Sequence, residues 1–400
     1  MQLPARFADL PEYAFPRLRR LLDGTLPGGP DLAMTIGEPR HPLPEMVGRI
    51  VAEHAAEFAK YPPNDGLPEL RAAIAGWLAR RYRVSVDPDT RVFPLNGTRE
   101  GLFNAALALC PETKGGGRPL VLMPNPFYQP YGAAALAAGA KPVPVPATAE
   151  TGFLPDYAAL PPALLDRVAL CYVCSPANPQ GAVASIGYLR QLLALAERHD
   201  FLVLADECYA EIWRGASPPG AFEAADGTDP ERLLVFNSLS KRSNAPGLRS
   251  GFAAGGPRAI AALRQLRAYG GAPLPLPIQR ASAALWADEA HVEASRALYR
   301  EKFALADRLL AGMPGYSPPE GGFFLWLRVG DGEAAALRLW RETGVRVLPG
   351  GYLGRATPSA ANPGQDYIRV ALVADAAEVA RGLGAIRATL GEPVSEERVS

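Results

Sequence analysis

A chain of 400 residues in which 41 acidic side chains balance 41 basic ones, with 48% hydrophobic residues, has the apolar content for one large core and a smaller one. Zero net charge without a dense basic run gives no electrostatic footprint for nucleic acid or an anionic membrane, so a small-molecule partner is expected. No apolar stretch reaches membrane-span length, and Glu12 and Arg17 interrupt the early residues, so the reading is a cytoplasmic protein.

In chain order, the turn Thr35-Ile36-Gly37-Glu38-Pro39 comes first. Tyr61-Pro-Pro-Asn-Asp-Gly-Leu-Pro-Glu-Leu-Arg71 follows and enters a helix whose apolar face is Leu70, Ala73, Ile74, Trp77 and Leu78. From about residue 65 to 285, short apolar runs alternate with helical patterns. Residues 91–95, 120–123, 168–173, 201–205 and 233–236 read as buried strands, and Leu189, Leu192, Leu193 and Ala196 as one helix face. Such alternation implies a parallel sheet in an open α/β sandwich. Each strand is followed at once by polar residues: Asn96-Gly97-Thr98, Asn125-Pro126, Ser175-Pro176-Ala177-Asn178, Asp206-Glu207 and Asn237-Ser238. Ligands of open α/β sheets bind outside the carboxyl ends of the strands, so these turns describe one composite pocket.

Beyond about residue 285 the pattern changes to a long helical stretch through Leu310. Gly321-Gly-Phe-Phe-Leu-Trp-Leu327, a helix near 333–342 and Tyr367-Ile-Arg-Val-Ala-Leu-Val373 come next, which together read as a smaller α+β domain. The 41 prolines and 40 glycines are dispersed among turns, with no repeat or low-complexity linker. Gly115-Gly116-Gly117 lacks the Gly-Lys-Ser/Thr ending of a nucleotide phosphate loop. Cys171 and Cys174 form the one Cys-x-x-Cys pair, but in a strand-like run where positions three apart face opposite sides. Core packing is therefore expected there, and with His41, His54, His199 and His291 scattered, no metal site.

The most chemically loaded segment is Phe236-Asn237-Ser238-Leu239-Ser240-Lys241-Arg242-Ser243-Asn244-Ala245-Pro246-Gly247-Leu248-Arg249-Ser250-Gly251. A lysine amine condenses with an aldehyde only when unprotonated, so it needs burial and neighbouring positive charge to lower its pKa from about 10.4. Ser238 and Arg249 bracket Lys241 and would hold a phosphate dianion nearby. Ser-x-x-Lys by itself also occurs in acyl-transferring serine enzymes and in ordinary loops, so the rest of the chain decides.

With these motifs placed, the chain resembles, over nearly its whole length, the class I/II aminotransferases of the fold type I pyridoxal phosphate family. The resemblance implies an α/β fold. Residues 42–285 would form a large cofactor-binding domain with a mostly parallel seven-stranded sheet between helices. Residues 286–400 would form a smaller α+β domain, and 1–41 an arm and part of that smaller domain. It implies that Lys241 anchors pyridoxal 5'-phosphate covalently and then shuttles a proton at the substrate Cα. Asp206 would pair with the pyridine nitrogen, and Tyr209 and Asn178 would bond the phenolic oxygen. Gly97, Thr98 and Arg99 at a helix N-terminus would hold the phosphate with Ser238 and Arg249. Tyr61 would reach the phosphate from a neighbouring subunit, which implies a homodimer with shared active sites. Tyr128 would stack on the cofactor ring, Arg369 would clamp the substrate α-carboxylate, and the Gly37 backbone would approach the substrate.

Within that family, Lys241-Arg-Ser-Asn-Ala-Pro-Gly247, Asn125-Pro-Phe-Tyr-Gln-Pro-Tyr131, Leu348-Pro-Gly-Gly-Tyr-Leu-Gly-Arg355 and Asn362-Pro-Gly364 resemble bacterial succinyldiaminopimelate aminotransferases. The implied exchange is between glutamate and N-succinyl-2-amino-6-oxopimelate. Both carry a distal carboxylate, for which Arg40, Arg242 and Arg355 are the candidate readers. Transaminases of aspartate, alanine or aromatic amino acids, and a C-S lyase or decarboxylase, share the same cofactor residues and stay open. A transcription regulator carrying such a domain would need a DNA-binding module, and the chain before Gly37 shows no basic stripe or helix-turn-helix pattern.

Overall fold

The computed structural model describes residues 7–391 apart from positions 9, 11, 227, 228 and 359; positions 1–6 of the expected arm and 392–400 of the expected smaller domain lie outside the described residues. After a two-residue strand β1 (Leu32–Ala33) come the seven strands of the central sheet. They are β2 (Val92–Leu95), β3 (Leu120–Asn125), β4 (Lys141–Pro146), β5 (Val168–Cys174), β6 (Leu202–Asp206), β7 (Leu233–Ser238) and β8 (Gly251–Gly255). Their order is β2-β8-β7-β6-β5-β3-β4. Strand β8 runs against both of its neighbours, and the remaining pairings are parallel. The five apolar runs read from the sequence all form strands of this sheet, because each is buried on both faces.

Two strands lay outside that pattern. Lys141-Pro-Val-Pro-Val-Pro146 carries three prolines, which suit only an edge, and β4 is the edge strand beside β3. Gly251-Phe-Ala-Ala-Gly255 has few large side chains because β8 lies tight against β7. A Cβ at Gly251 would come 2.7 Å from the Asn237 carbonyl oxygen, and one at Gly255 2.3 Å from that of Leu233.

Helices cover both faces. On one, Pro68–Tyr82, Ile186–His199 and Leu276–Ala287 bury Trp77, Leu192 and Trp286 against Phe252. On the other, Thr98–Leu109, Pro130–Ala137 and Pro257–Tyr269 pack Leu102, Tyr131 and Leu263 over Phe93 and Tyr172. The helix Pro68–Tyr82 opens on a proline, whose missing N–H would have had no intrahelical partner, and closes on Arg83 in the left-handed region (φ 58°). Ser185 caps the next, its Oγ accepting from Tyr188 N at 3.1 Å.

In the C-terminal part, β9 (Phe324–Arg328), β10 (Val345–Arg346), β11 (Leu348–Pro349) and β12 (Tyr367–Ala371) follow. Strands β11, β12 and β9 make a three-stranded antiparallel sheet, and β1 pairs with β10, which ties the N-terminal segment to this part of the chain. The N-terminal helix Ala14–Leu22 buries Ala14, Leu18 and Leu22 against Trp326, Leu348 and Tyr352. The long helical stretch through Leu310 is two helices, Leu276–Ala287 and Ala290–Leu309, broken where the Asp288 carboxylate accepts from His291 N at 3.1 Å. No helix among the described residues is long and apolar enough to cross a membrane.

Candidate active site

Beyond the carboxyl ends of β5, β6 and β7 lies a cavity of about 500 Å³, and the polar turns that follow the strands line it. Lys241 projects into it from the short helix Leu239–Arg242, which begins directly after β7 because Ser238 Oγ accepts from Ser240 N at 3.1 Å. Its Nζ donates to the Gly37 carbonyl oxygen, so Gly37 and Lys241 meet across the cavity. Burial lowers the Lys241 pKa to about 8. Cys208 and Glu38 oppose that shift, and Arg369 and Arg249 add to it. At pH 7 about a tenth of this amine is therefore unprotonated, against less than a thousandth for a free lysine.

Asp206 ends β6 and is buried at the cavity floor. Its Oδ2 accepts from Tyr131 Oη at 2.6 Å and its Oδ1 from Cys208 N at 3.2 Å. Burial raises its pKa, and those two donors pull it back down. The sequence offers Tyr131 only as an alternative to Tyr128 for the ring-stacking aromatic, not as a partner of Asp206. Its ring stacks on Tyr172 with centroids 4.3 Å apart, which fixes the hydroxyl on the carboxylate. The nearest signal was its place six residues after Asn125, at the start of the helix Pro130–Ala137 that follows β3.

Arg369, on β12, is buried with its guanidinium 4.1 Å from the Phe324 ring centroid. Its Nη2 donates to Thr35 O at 2.9 Å and its Nη1 to Asn178 Oδ1 at 3.0 Å, while its Nε finds no partner. No carboxylate pairs with it among the described residues, and burial lowers its pKa to about 10. A buried cation without a counter-ion is costly, so this guanidinium is suited to receive an anion.

Arg249 lines the same cavity with its backbone in the left-handed region (φ 51°) and its Nη1 donating to Pro246 O at 2.9 Å. Its Nη2 lies 2.3 Å from where a Cβ on Gly97 would stand, so only glycine admits the guanidinium there. Thr98 begins the helix Thr98–Leu109, with its Oγ1 3.0 Å from Cys208 Sγ. Arg249, the N-terminus of that helix and the Ser238 hydroxyl thus gather positive potential at one end of the cavity. Arg99 Nε donates to Tyr128 Oη at 2.8 Å and, like Arg249, has no carboxylate partner among the described residues. Tyr209 is buried against Phe323 and Phe324 and lines the cavity beside Asn178.

The structure does not bring every candidate together. Tyr61 is fully exposed and does not line the cavity of its own chain. Arg242 turns away from the site into the core, packed 5.7 and 5.1 Å from the Trp77 and Trp286 ring centroids and donating to Leu285 O and Glu289 Oε1. Arg40 is exposed, 3.6 Å from Glu378 on the C-terminal helix. Arg355 lies 5.5 Å from the Phe127 ring centroid and donates to Gly354 O, outside the cavity lining. None of these three lines the cavity, so none is the second cation expected there. Cys171 packs in the core as expected, whereas Cys174, also buried, lines the cavity, and so does Cys208.

Next to Asp206, Glu207 faces the opposite side of the sheet, accepting from Ala221 N at 2.6 Å and from Tyr82 Oη at 2.8 Å. Burial raises its pKa from 4.5 to about 7 despite those donors. The folded state therefore holds this proton more tightly than the unfolded chain. The stability Glu207 contributes is fully present below pH 4.5 and is lost as pH rises through about 7, a change of about 3 kcal/mol. Denaturant unfolding of Glu207→Gln should show a flatter pH profile across that window than the parent protein, and parallel profiles would contradict this assignment.

The family model for aminotransferase class I and II matches residues 31–386. The LL-diaminopimelate aminotransferase of Dehalococcoides mccartyi is 31% identical over 394 residues, covering 96% of this chain and 97% of that protein. The crystal structure of an aminotransferase from Neisseria meningitidis superposes with a TM-score of 0.92 at 38% identity, covering 97% of this chain and 100% of that one. A probable N-succinyldiaminopimelate aminotransferase from Thermus thermophilus gives 0.81 at 28% identity, covering 94% and 98%. The chain belongs to the class I and II aminotransferases, enzymes that use pyridoxal phosphate. Its donor set fits that cofactor: a lysine of lowered pKa, a buried carboxylate and an unpaired arginine against a helix N-terminus share one cavity.

Proposed function

We propose that this enzyme transfers an amino group between glutamate and an oxo acid of the diaminopimelate series that carries a carboxylate distal to its reacting centre, with N-succinyl-2-amino-6-oxopimelate as the acceptor. The observation that carries this reading is a third arginine in the cavity without a carboxylate partner among the described residues. Arg369 supplies one carboxylate site, Arg249 stands at the anion-binding end, and Arg99 remains without an acid. A guanidinium lining a substrate cavity suits a distal carboxylate.

When bound, pyridoxal phosphate supplies an aldehyde that condenses with amines and a ring that takes up the electron pair released at the substrate Cα. The protein's own groups do the rest. Lys241 would hold the cofactor through Nζ and, once freed, would carry the proton away from the substrate Cα. Asp206, oriented by Tyr131, would hold the proton of the ring nitrogen, and that cation would in turn favour the ionised carboxylate. Gly97, Thr98, Ser238 and Arg249 would hold the phosphate. Asn178 and Tyr209 would bond the phenolic oxygen, and Tyr128, steadied by Arg99, would pack on the ring. Arg369 binds the α-carboxylate beside Gly37.

Replacing Arg99 with alanine should lower kcat/KM for dicarboxylic donors by about 10- to 100-fold and leave alanine nearly unaffected. An equal loss for both substrates would contradict the role. A second reading, LL-diaminopimelate itself, is favoured by Glu38, an exposed carboxylate on the cavity wall that suits a distal ammonium. Comparing kcat/KM for the succinylated and free compounds separates the two. The assembly we propose is a homodimer, since Tyr61 and Phe58 are exposed where a neighbouring subunit would cover them. Sedimentation of the purified protein as a monomer at micromolar concentration would contradict it.

A further inference from the structure

A second ammonium of weakened basicity lies outside the cavity. Lys302, on the helix Ala290–Leu309, is buried, and no carboxylate pairs with it among the described residues. Its Nζ lies 2.7 Å from His41 Nε2 and 3.4 Å from Val373 O, and the Tyr299 ring flanks both partners. Because Lys302 has only hydrogens to offer, His41 Nε2 accepts, which places the imidazole hydrogen on Nδ1. That N–H donates to Ser295 Oγ at 3.3 Å, and the Ser295 hydroxyl in turn donates to Asn244 Oδ1 at 3.3 Å. Asn244 Nδ2 also donates to Ser295 Oγ at 3.1 Å, so the Ser295–Asn244 link is bonded in both directions.

Two links of this chain of bonds, His41 and Asn244, lie next to the site. His41 lies four residues after Gly37, whose carbonyl receives the Lys241 amine, and Ile36, Gly37 and Glu38 form part of the cavity wall. Asn244 lies three residues after Lys241, in the left-handed conformation (φ 50°) that ends its turn. We infer that Lys302 and His41 are positioning residues, which hold the cavity wall at 36–38 and the turn after Lys241 in one fixed relation across the helix Ala290–Leu309. The electrostatics agree with this geometry. Burial, with the nearby Lys302 charge, lowers His41 to about 4, so the ring stays a neutral acceptor at neutral pH. Burial lowers Lys302 to about 8, with Asp375 and Glu301 opposing and Arg40 assisting.

The test is hydrogen exchange on the cofactor-loaded enzyme together with glutamate kinetics, and only the kinetic part rests on the transaminase reading. Lys302→Met should speed amide exchange about tenfold in both 36–41 and 242–245, and raise KM about fivefold with kcat within about twofold. His41→Gln can accept from Lys302 and donate to Ser295, so it should stay within about twofold of the parent on both readouts. If Lys302→Met does not fold, His41→Ala is expected to reproduce its effects. Faster exchange confined to the helix Ala290–Leu309, or an unchanged KM with unchanged exchange in the two segments, would overturn the inference. An enzyme that rejects glutamate but shows the paired exchange change would refute the substrate assignment and leave the positioning role standing.

Discussion

Lys241→Ala should lower the transamination rate by about 10⁴-fold or more, because one side chain supplies both the covalent hold on the cofactor and the proton transfer at Cα. The loss should be chemical. The anion-binding end of the cavity and Asp206 are untouched, so the variant should still bind pyridoxal phosphate, with the absorbance of the free aldehyde and without that of the lysine-bound form. Turnover within about tenfold of the parent would contradict the assignment. A low pKa does not single this residue out, since burial lowers both Lys241 and Lys302 to about 8. Only Lys241 lines the cavity; Lys302 gives its hydrogens to His41 and Val373 O.

Arg369→Ala should lower kcat/KM for every amino donor by about 10²- to 10³-fold, the range expected when a buried charged partner is removed. The size follows from the setting: Phe324 on one side, Asn178 and Thr35 fixing the orientation, and no protein carboxylate competing for the guanidinium. Lysine at this position keeps the charge but loses the planar pair of donors, so Arg369→Lys should recover only part of the loss. Cofactor affinity should stay within about threefold, because Arg369 binds the substrate and not the phosphate. An unchanged kcat/KM for all donors would remove Arg369 from the site.

Strand ends were the most legible feature of this sequence. Buried strands need continuous apolar runs, and residues at their carboxyl ends are released from that demand, so Thr98, Asn178, Asp206 and Ser238 stand out as polar breaks, and all four line the cavity. What could not be read depends on contacts between distant segments. The proline-rich β4 and glycine-rich β8 are strands because of their neighbours, an edge in one case and a close-lying β7 in the other. The Tyr131 hydroxyl on Asp206 spans 75 residues, and no local pattern announces it. Arg242 follows Lys241 directly and looked available to substrate, yet the short helix turns it into the core between two tryptophans. Arg99 was read for its backbone at a helix start, whereas its side chain is one of three cavity arginines, with Arg249 and Arg369, that no carboxylate pairs with among the described residues.

Borohydride reduction of the pyridoxal phosphate-loaded enzyme, followed by peptide mapping, tests the central claim most directly, because the chain has only five lysines: Lys60, Lys114, Lys141, Lys241 and Lys302. The cavity geometry predicts one pyridoxyl group per chain, on the peptide that contains Lys241. A label on any other lysine, or protein that remains unlabelled with excess cofactor, would contradict it.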